Sequence, residues 1–233
     1  MTSFPVTEHN RIRQHPERAR YDAATIYAIL DAARFGFMAW VAATGPEVQP
    51  VLFARVGQDL VVHGSRSSRR MQHLAAGGVV RFAVALLDGL VVTKSAFATS
   101  VNYRSVVVLG TGRAIEDPAA KRAALRALSE KILPGHWAYA RQPTERELAA
   151  TAVAAVHMDL ASAKVRVGPP KELPQDQDAP LWSGVLPVAL AFGEPEPAHP
   201  AAGPLPPHIA AFLQTQPRAR ASQVARGPQG GTP

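Results

Sequence analysis

A chain of 233 residues with 47% hydrophobic side chains is long enough for one core of ordinary size, with polypeptide to spare. It has no cysteine, which excludes a disulfide framework and thiolate metal sites; with no basic head leading into an apolar stretch and no apolar run of membrane-spanning length, a cytoplasmic protein is expected. The net charge of +7 raises nucleic acid as a partner, but the arginines are scattered over an N-terminal arm, one central loop and the tail, without zinc-finger spacing or an aromatic-studded RNA-binding signature, so nucleic acid is not the expected partner.

Residues 1–20 are polar and basic, contain Pro5 and Pro16, and form an arm expected to wrap a neighbour or stay mobile. Residues 21–193 form the domain. Residues 194–233, rich in Pro, Gly, Ala and Gln, are expected to be a largely disordered tail, in which Ile209 to Leu213 is an amphipathic piece able to dock transiently. Within the domain, Asp22 caps a helix whose Ile26, Ile29, Leu30 and Ala33 recur on one face before Gly36 ends it. Phe37 to Ala42, Val48 to Val56 and Leu60 to His63 then alternate as strands between short Gly-containing turns.

The stretch His63-Gly64-Ser65-Arg66-Ser67-Ser68-Arg69-Arg70-Met71 follows at the exit of an apolar strand. Short hydroxyl donors and guanidinium forks packed this closely suit a phosphate, and Ser67 or Ser68 as the cap of a helix through Leu74 would add backbone amides. A solvated basic turn is the alternative that composition alone leaves open. His63 ends the strand beside this loop, where an imidazole can serve as a donor or proton carrier, although most lone histidines are structural.

Val79 to Leu87 and Leu90 to Phe97 flank Asp88-Gly89, a pair favoured in two-residue hairpin turns. Tyr103 to Ile115 supplies a further strand. Its segment Asn102-Tyr103-Arg104-Ser105-Val106 offers an amide, a phenol and a hydroxyl backed by Val106 and Val108, which suits a flat heteroaromatic ligand; a strand with Tyr103 and Val107 in the core is the alternative. Asp117-Pro118 opens a helix that Pro134-Gly135 stops, and Thr144 with Glu147 forms a capping box. Ala152 to Leu160 and Lys164 to Val167 return to strand. Six or more antiparallel strands with inserted helices predict an α+β fold, mainly β, built on a small closed antiparallel β-barrel with peripheral helices rather than a doubly wound sheet. Gly110-Thr111-Gly112 lacks the third glycine and following helix of a dinucleotide motif, and the histidines show no metal-ligand spacing, so no metal is expected.

In this order, Pro16 to Asp22, Leu60 to Arg70, Asp88 to Val91, Ser100 to Val106, Pro134 to Trp137, Ser162 to Arg166 and Trp182 to Pro187 resemble the FMN-binding split-barrel proteins related to pyridoxamine 5′-phosphate oxidase, within the branch that includes nitroimidazole-resistance-like proteins. The resemblance spans roughly residues 17–192 and implies a six-stranded split barrel that binds FMN between the subunits of a homodimer. It also implies a flavin-dependent oxidoreductase acting on an unidentified small molecule, with a non-catalytic flavin-binding sensor as the alternative. By the same resemblance, Ser65, Ser67, Ser68, Arg69 and Arg70 grip the phosphate, with Arg70 where lysine is more usual. Pro50, Val51, Leu52 and Phe53 lie along the ring through their backbone. Asn102, Tyr103, Arg104, Ser105 and Val106 form a second wall, His63 adjoins the cofactor, and Lys164, Arg166 and Trp182 complete the barrel or reach the neighbouring subunit. The C-terminal arginine- and histidine-bearing substrate motif of the oxidases has no counterpart here, so the substrate stays open.

Overall fold

The computed structural model describes residues 2–199 and 203–218; the rest of the predicted tail lies outside the described residues. Among the described residues nine strands make one antiparallel sheet: β1 (Ala19–Arg20), β2 (Gly36–Ala42), β3 (Gly45–Val51), β4 (Ala54–Val56), β5 (Asp59–Ser65), β6 (Val79–Val92), β7 (Ser100–Ala114), β8 (Thr151–Arg166) and β9 (Gly184–Pro187). The principal order is β3-β2-β6-β7-β8-β5-β4, with β1 added to β8 and β9 to β6. Only Leu52 and Phe53 separate the two end strands, β3 and β4, in sequence. The sheet therefore curls until its edges meet without forming a ladder, so the barrel is split rather than closed, the closed form being what the strand pattern alone predicts.

Helix α1 (Ala23–Ala32) begins at Asp22, whose carboxylate accepts the Thr25 amide, and buries Ile26, Ile29 and Leu30. With Met71 and Leu74 of α2 (Arg69–Ala75), these join Met38, Phe53, Phe82, Val106 and Met158 in the main core. A second cluster under α3 (Pro118–Ile132) holds Ala54, Val61, Val153, Ala124 and Leu128. Two short helices follow, α4 (His136–Tyr139) and α5 (Glu145–Ala150), the latter with the complete Thr144–Glu147 capping box.

Several elements differ from the sequence expectation. Asp88-Gly89 is not a hairpin turn: β6 runs through it with only a register shift, and Gly89 does not take the positive φ a type I′ turn needs. Pairing with β7 on one side and β9 on the other holds this segment extended. The predicted strand Val48 to Val56 is broken into β3 and β4, whereas the stretches 152–160 and 164–167 are one strand, because Ala161-Ser162-Ala163 is buried and laddered to Val106, Val107 and Val108. The tail contains helix α6 (Pro207–Gln214), started by proline and docked on Phe192 through Phe212, with ring centroids 5.2 Å apart. The basic arm folds back on its own chain, where Phe4 is buried and Asn10 donates to the Ala161 carbonyl.

Lys131 ties α3 to α1 by donating to the Leu30 and Asp31 carbonyls, and its ammonium stands 5.1 Å from the Phe53 ring. Desolvation, only partly countered by Asp31, lowers its pKa from 10.5 to about 8. Between those values the unfolded chain binds the proton that the folded chain has released, so this group makes stability rise with pH across that window. Denaturant unfolding of Lys131→Met at pH 7.5 and pH 10 is expected to lack that rise, relative to the parent protein; an unchanged slope would refute it.

Candidate functional site

The end of β5 and the start of α2 hold the basic loop. Ser65 ends the strand opposite Thr151, and its hydroxyl lies 2.8 Å from that of Ser67. Ser68 is the N-cap residue of α2, but its hydroxyl makes no capping hydrogen bond. A helix of seven residues has a weak dipole, so the charged side chains dominate this end.

The two adjacent arginines have different situations. Arg69 pairs with Glu47 at 2.7 Å and its side chain is 66% exposed. Arg70 turns inward, donating from Nη1 to Gln49 Oε1 and from Nη2 to the His63 carbonyl, both at 3.3 Å, while its Nε is buried without a partner. Among the described residues no carboxylate pairs with it. A desolvated guanidinium with an orphaned donor is an anion-seeking group. Gly64 makes room for it: a β-carbon there would lie 3.3 Å from Arg70 Nη2 and 3.1 Å from Met71 Cγ. The His63 imidazole, exposed at its edge and crowded by the loop, is held below its usual pKa by desolvation and then by Arg70, which favours the neutral ring. Arg66 instead donates to the Ala149 carbonyl.

Pro50 to Phe53 border this loop because β3 and β4 meet there, and Gln49 contacts Arg70. Val51 and Phe53 point into the core, which leaves Pro50, Leu52 and the backbone for a ligand.

The segment 102–106 lies elsewhere on the wall. β2 and β6 separate β7 from β3, and β8 separates it from β5. Tyr103 pairs with Arg166 at the last residue of β8, whereas Ser65 pairs with Thr151 at its first. Val106 and Val108 are in the core, so Tyr103, Ser105 and Val107 take the outer face. Arg104 is committed to Asp88 in a two-pronged ion pair of 2.9 and 2.7 Å, and Asn102 bridges Arg166 and the Gly168 carbonyl. Tyr103 and Ser105 are thus the members left to face a ligand. Among the described residues no hydrogen bond or ion pair joins this set to the loop. Lys164 and Arg166 extend the same outer face through their pairing with Ser105 and Tyr103, and Trp182 is 63% exposed.

A largely apolar cleft of about 630 Å³ lies beside this segment, lined by Arg104 and its partner Asp88 together with Phe35, Phe37, Leu190 and Phe192, and by Leu87 and Ala85, the ladder partners of Tyr103 and Ser105. Sequence reasoning missed this cleft, because the folded-back segment after β9 supplies one wall; the aromatic pair Phe35 and Phe37 flanking a glycine was the available signal. Among the described residues no three His, Asp or Glu side chains converge as a metal site, and no helix is long and apolar enough to cross a membrane.

The sequence profile of the pyridoxamine 5′-phosphate oxidase family matches residues 22–165, a span containing both segments. The flavocytochrome Anf3 from Azotobacter vinelandii is 35% identical, with a TM-score of 0.80 over 88% of this chain and 96% of that one. An FAD and haem binding protein from Mycobacterium smegmatis is also 35% identical, with a TM-score of 0.78 over 83% of this chain and 96% of its own. A candidate 5-nitroimidazole antibiotic resistance protein from Bacteroides thetaiotaomicron, 21% identical with a TM-score of 0.55 over 63% of this chain and 86% of that one, shares the fold. No curated protein sequence matches.

Proposed function

Because the chain belongs to the pyridoxamine 5′-phosphate oxidase family, over a matched span that holds both candidate segments, we propose that it is a flavin-dependent oxidoreductase acting on a small molecule as a homodimer. The observation that carries this is Arg70: a half-buried guanidinium whose buried Nε is orphaned and which has no carboxylate among the described residues, beside two exposed serines, suits the 5′-phosphate of a flavin. The separation of the two segments supports the dimer. Ser65 to Arg70 of one protomer would hold the phosphate, and Tyr103 and Ser105 of the other would flank the ring.

The FMN expected from the sequence and the FAD named for the Mycobacterium relative share the riboflavin 5′-phosphate that this loop addresses. FAD is the form we propose, since that relative and this chain align over most of both lengths. The same relatives support haem as a second redox group. With no cysteine in the chain, such a haem would be held without thioether bonds and without a thiolate ligand. Bound flavin supplies two-electron chemistry and haem one-electron chemistry, so a reduced organic donor and a one-electron acceptor are the classes of reactant to match. The chain's own residues bind and orient: Arg70 neutralises phosphate, neutral His63 offers a hydrogen bond beside it, and Leu52 shields the edge.

The absorption spectrum of the purified full chain tests this, with mass measurement of whatever heat releases. A protein with flavin absorption that releases FAD and passes electrons from a reduced nicotinamide to an added acceptor is the expected result. Stoichiometric flavin without turnover would favour a sensor, and a colourless protein that takes up neither flavin would refute flavin binding.

A further inference from the structure

From the lining of the cleft beside Arg104, we infer that it is the protein's small-molecule site and that its ligand is an aromatic monocarboxylate; the partnership with flavin rests on the function proposed above. At about 630 Å³ the cleft falls within the ~300–1,000 Å³ usual for small-molecule sites. One wall is Phe35 and Phe37, half-exposed and 6.0 Å apart edge to face, with Ala85 and Leu87 of β6. The other is the chain after β9. There the Val188 amide donates to the Asp88 carbonyl and the Phe192 amide to that of Pro217, so Ala189 and Leu190 line the cleft from a strap held at both ends. Walls anchored in this way pre-form the site, and their phenyl rings suit a flat apolar ligand.

The charged side chains of the lining set the sign of the ligand. They are Arg34, Asp88 and Arg104, and the last two neutralise one another in their two-pronged pair. Arg34 is half-buried and donates from Nη1 to the Lys131 and Ile132 carbonyls, at 3.2 and 3.4 Å. Among the described residues its Nε and Nη2 have no partner and no carboxylate pairs with it. Its guanidinium carbon stands 5.6 Å from the Phe192 ring and 5.3 Å from the Phe212 ring, which holds the fork in place. A fixed guanidinium with free donors matches a carboxylate, and one surplus positive charge matches one negative charge. A phosphate dianion would find a single uncompensated cation and no hydroxyl in this lining, unlike in the loop from Ser65 to Arg70.

Position ties the cleft to the flavin. Ala85 and Leu87 stand opposite Ser105 and Tyr103 in the ladder, and residues paired in this way share a face of the sheet. A ligand resting on them therefore lies about one strand spacing, ~4.8 Å, from the side chains proposed to flank the ring. The charged groups of the two sites are separate, since none of Ser65 to Arg70 lines the cleft. Among the described residues no histidine lines it either, so the lining suits an organic ligand and not a haem iron.

The test titrates the full chain with 2-naphthoate, with its uncharged counterpart 2-naphthamide and with acetate, by calorimetry, measuring flavin content in the same samples. The parent protein is expected to bind naphthoate at least tenfold more tightly than naphthamide and to give no heat with acetate. In flavin-loaded protein, naphthoate should also shift the flavin absorption band. Leu190 is 69% exposed, so a charge placed there leaves the core untouched. Leu190→Glu should weaken naphthoate at least tenfold while naphthamide stays within threefold, and Leu190→Lys should leave naphthoate as tight or tighter, a sign dependence that lost packing would not produce. Arg34→Met should bring naphthoate down to the level of naphthamide. Parent protein that binds both probes equally or neither, or naphthoate binding unchanged by Leu190→Glu and Arg34→Met, would overturn the assignment and leave flavin binding intact. Naphthoate bound as expected by a protein that takes up no flavin would uphold the carboxylate site and overturn the flavin reading instead.

Discussion

Arg70→Ala is expected to weaken flavin binding by about a hundredfold while the fold is kept. The change removes a guanidinium that is already desolvated, so its charge-assisted bonds to a phosphate are worth ~1.5–3 kcal/mol or more together, about tenfold in affinity for each 1.4 kcal/mol. No carboxylate is stranded by its loss, since Arg70 contacts only Gln49 and a backbone carbonyl. Arg69→Ala is expected to cost less than tenfold, because that side chain is exposed and already bound to Glu47. The double variant should therefore resemble Arg70→Ala. Fluorescence titration with FMN and FAD measures both, and an Arg70→Ala protein binding either flavin as tightly as the parent would remove the phosphate assignment.

Mixed dimers are expected to recover binding that neither parent variant has. Ser105→Trp puts an indole on the outer face of β7, where Ser105 pairs with Ala85 and Lys164, and should block the ring position without entering the core. Arg70→Ala damages the phosphate loop instead. If each flavin lies between the loop of one protomer and the β7 face of the other, a heterodimer of the two variants carries both lesions in one site and none in its second. Co-expressed with different affinity tags and purified through both, such heterodimers should bind about one flavin per dimer at parental affinity. Heterodimers as weak as the homodimeric variants would show that a single protomer supplies both segments.

Much of the fold was legible because its signals are local. The Asp22 cap, the Asp117-Pro118 start and the Thr144–Glu147 box set three helix beginnings through side chains that bond amides three residues away. Alternation of buried and exposed residues marked most of the strands. Asp88-Gly89 misled for the same reason: as a local pair it suits a turn, but ladders on both sides, to residues 102–103 and 184–187, hold it in a strand. In the described part of the tail, the amphipathic piece Ile209 to Leu213 lies in helix α6 and docks on Phe192 and Arg34, the latter far away in sequence.

The basic loop could be recognised from sequence as an anion site, because clustered serines and arginines at a strand exit have that chemistry wherever they fold. Which arginine is free to act was decided only by packing: Glu47 engages Arg69, while Gly64 and Met71 admit Arg70 to a position where its Nε has no partner. Likewise the sequence alone placed Asn102 to Val106 on a strand, but register decided that Val106 belongs to the core, that Asp88 occupies Arg104, and that Tyr103 and Ser105 face outward. The folding back of the chain after β9 to wall the largely apolar cleft lies furthest beyond sequence reasoning. Residue types and their near-neighbour spacing determine which chemistry a chain can offer, and long-range contacts determine which of those groups are left without a partner and therefore available to a ligand.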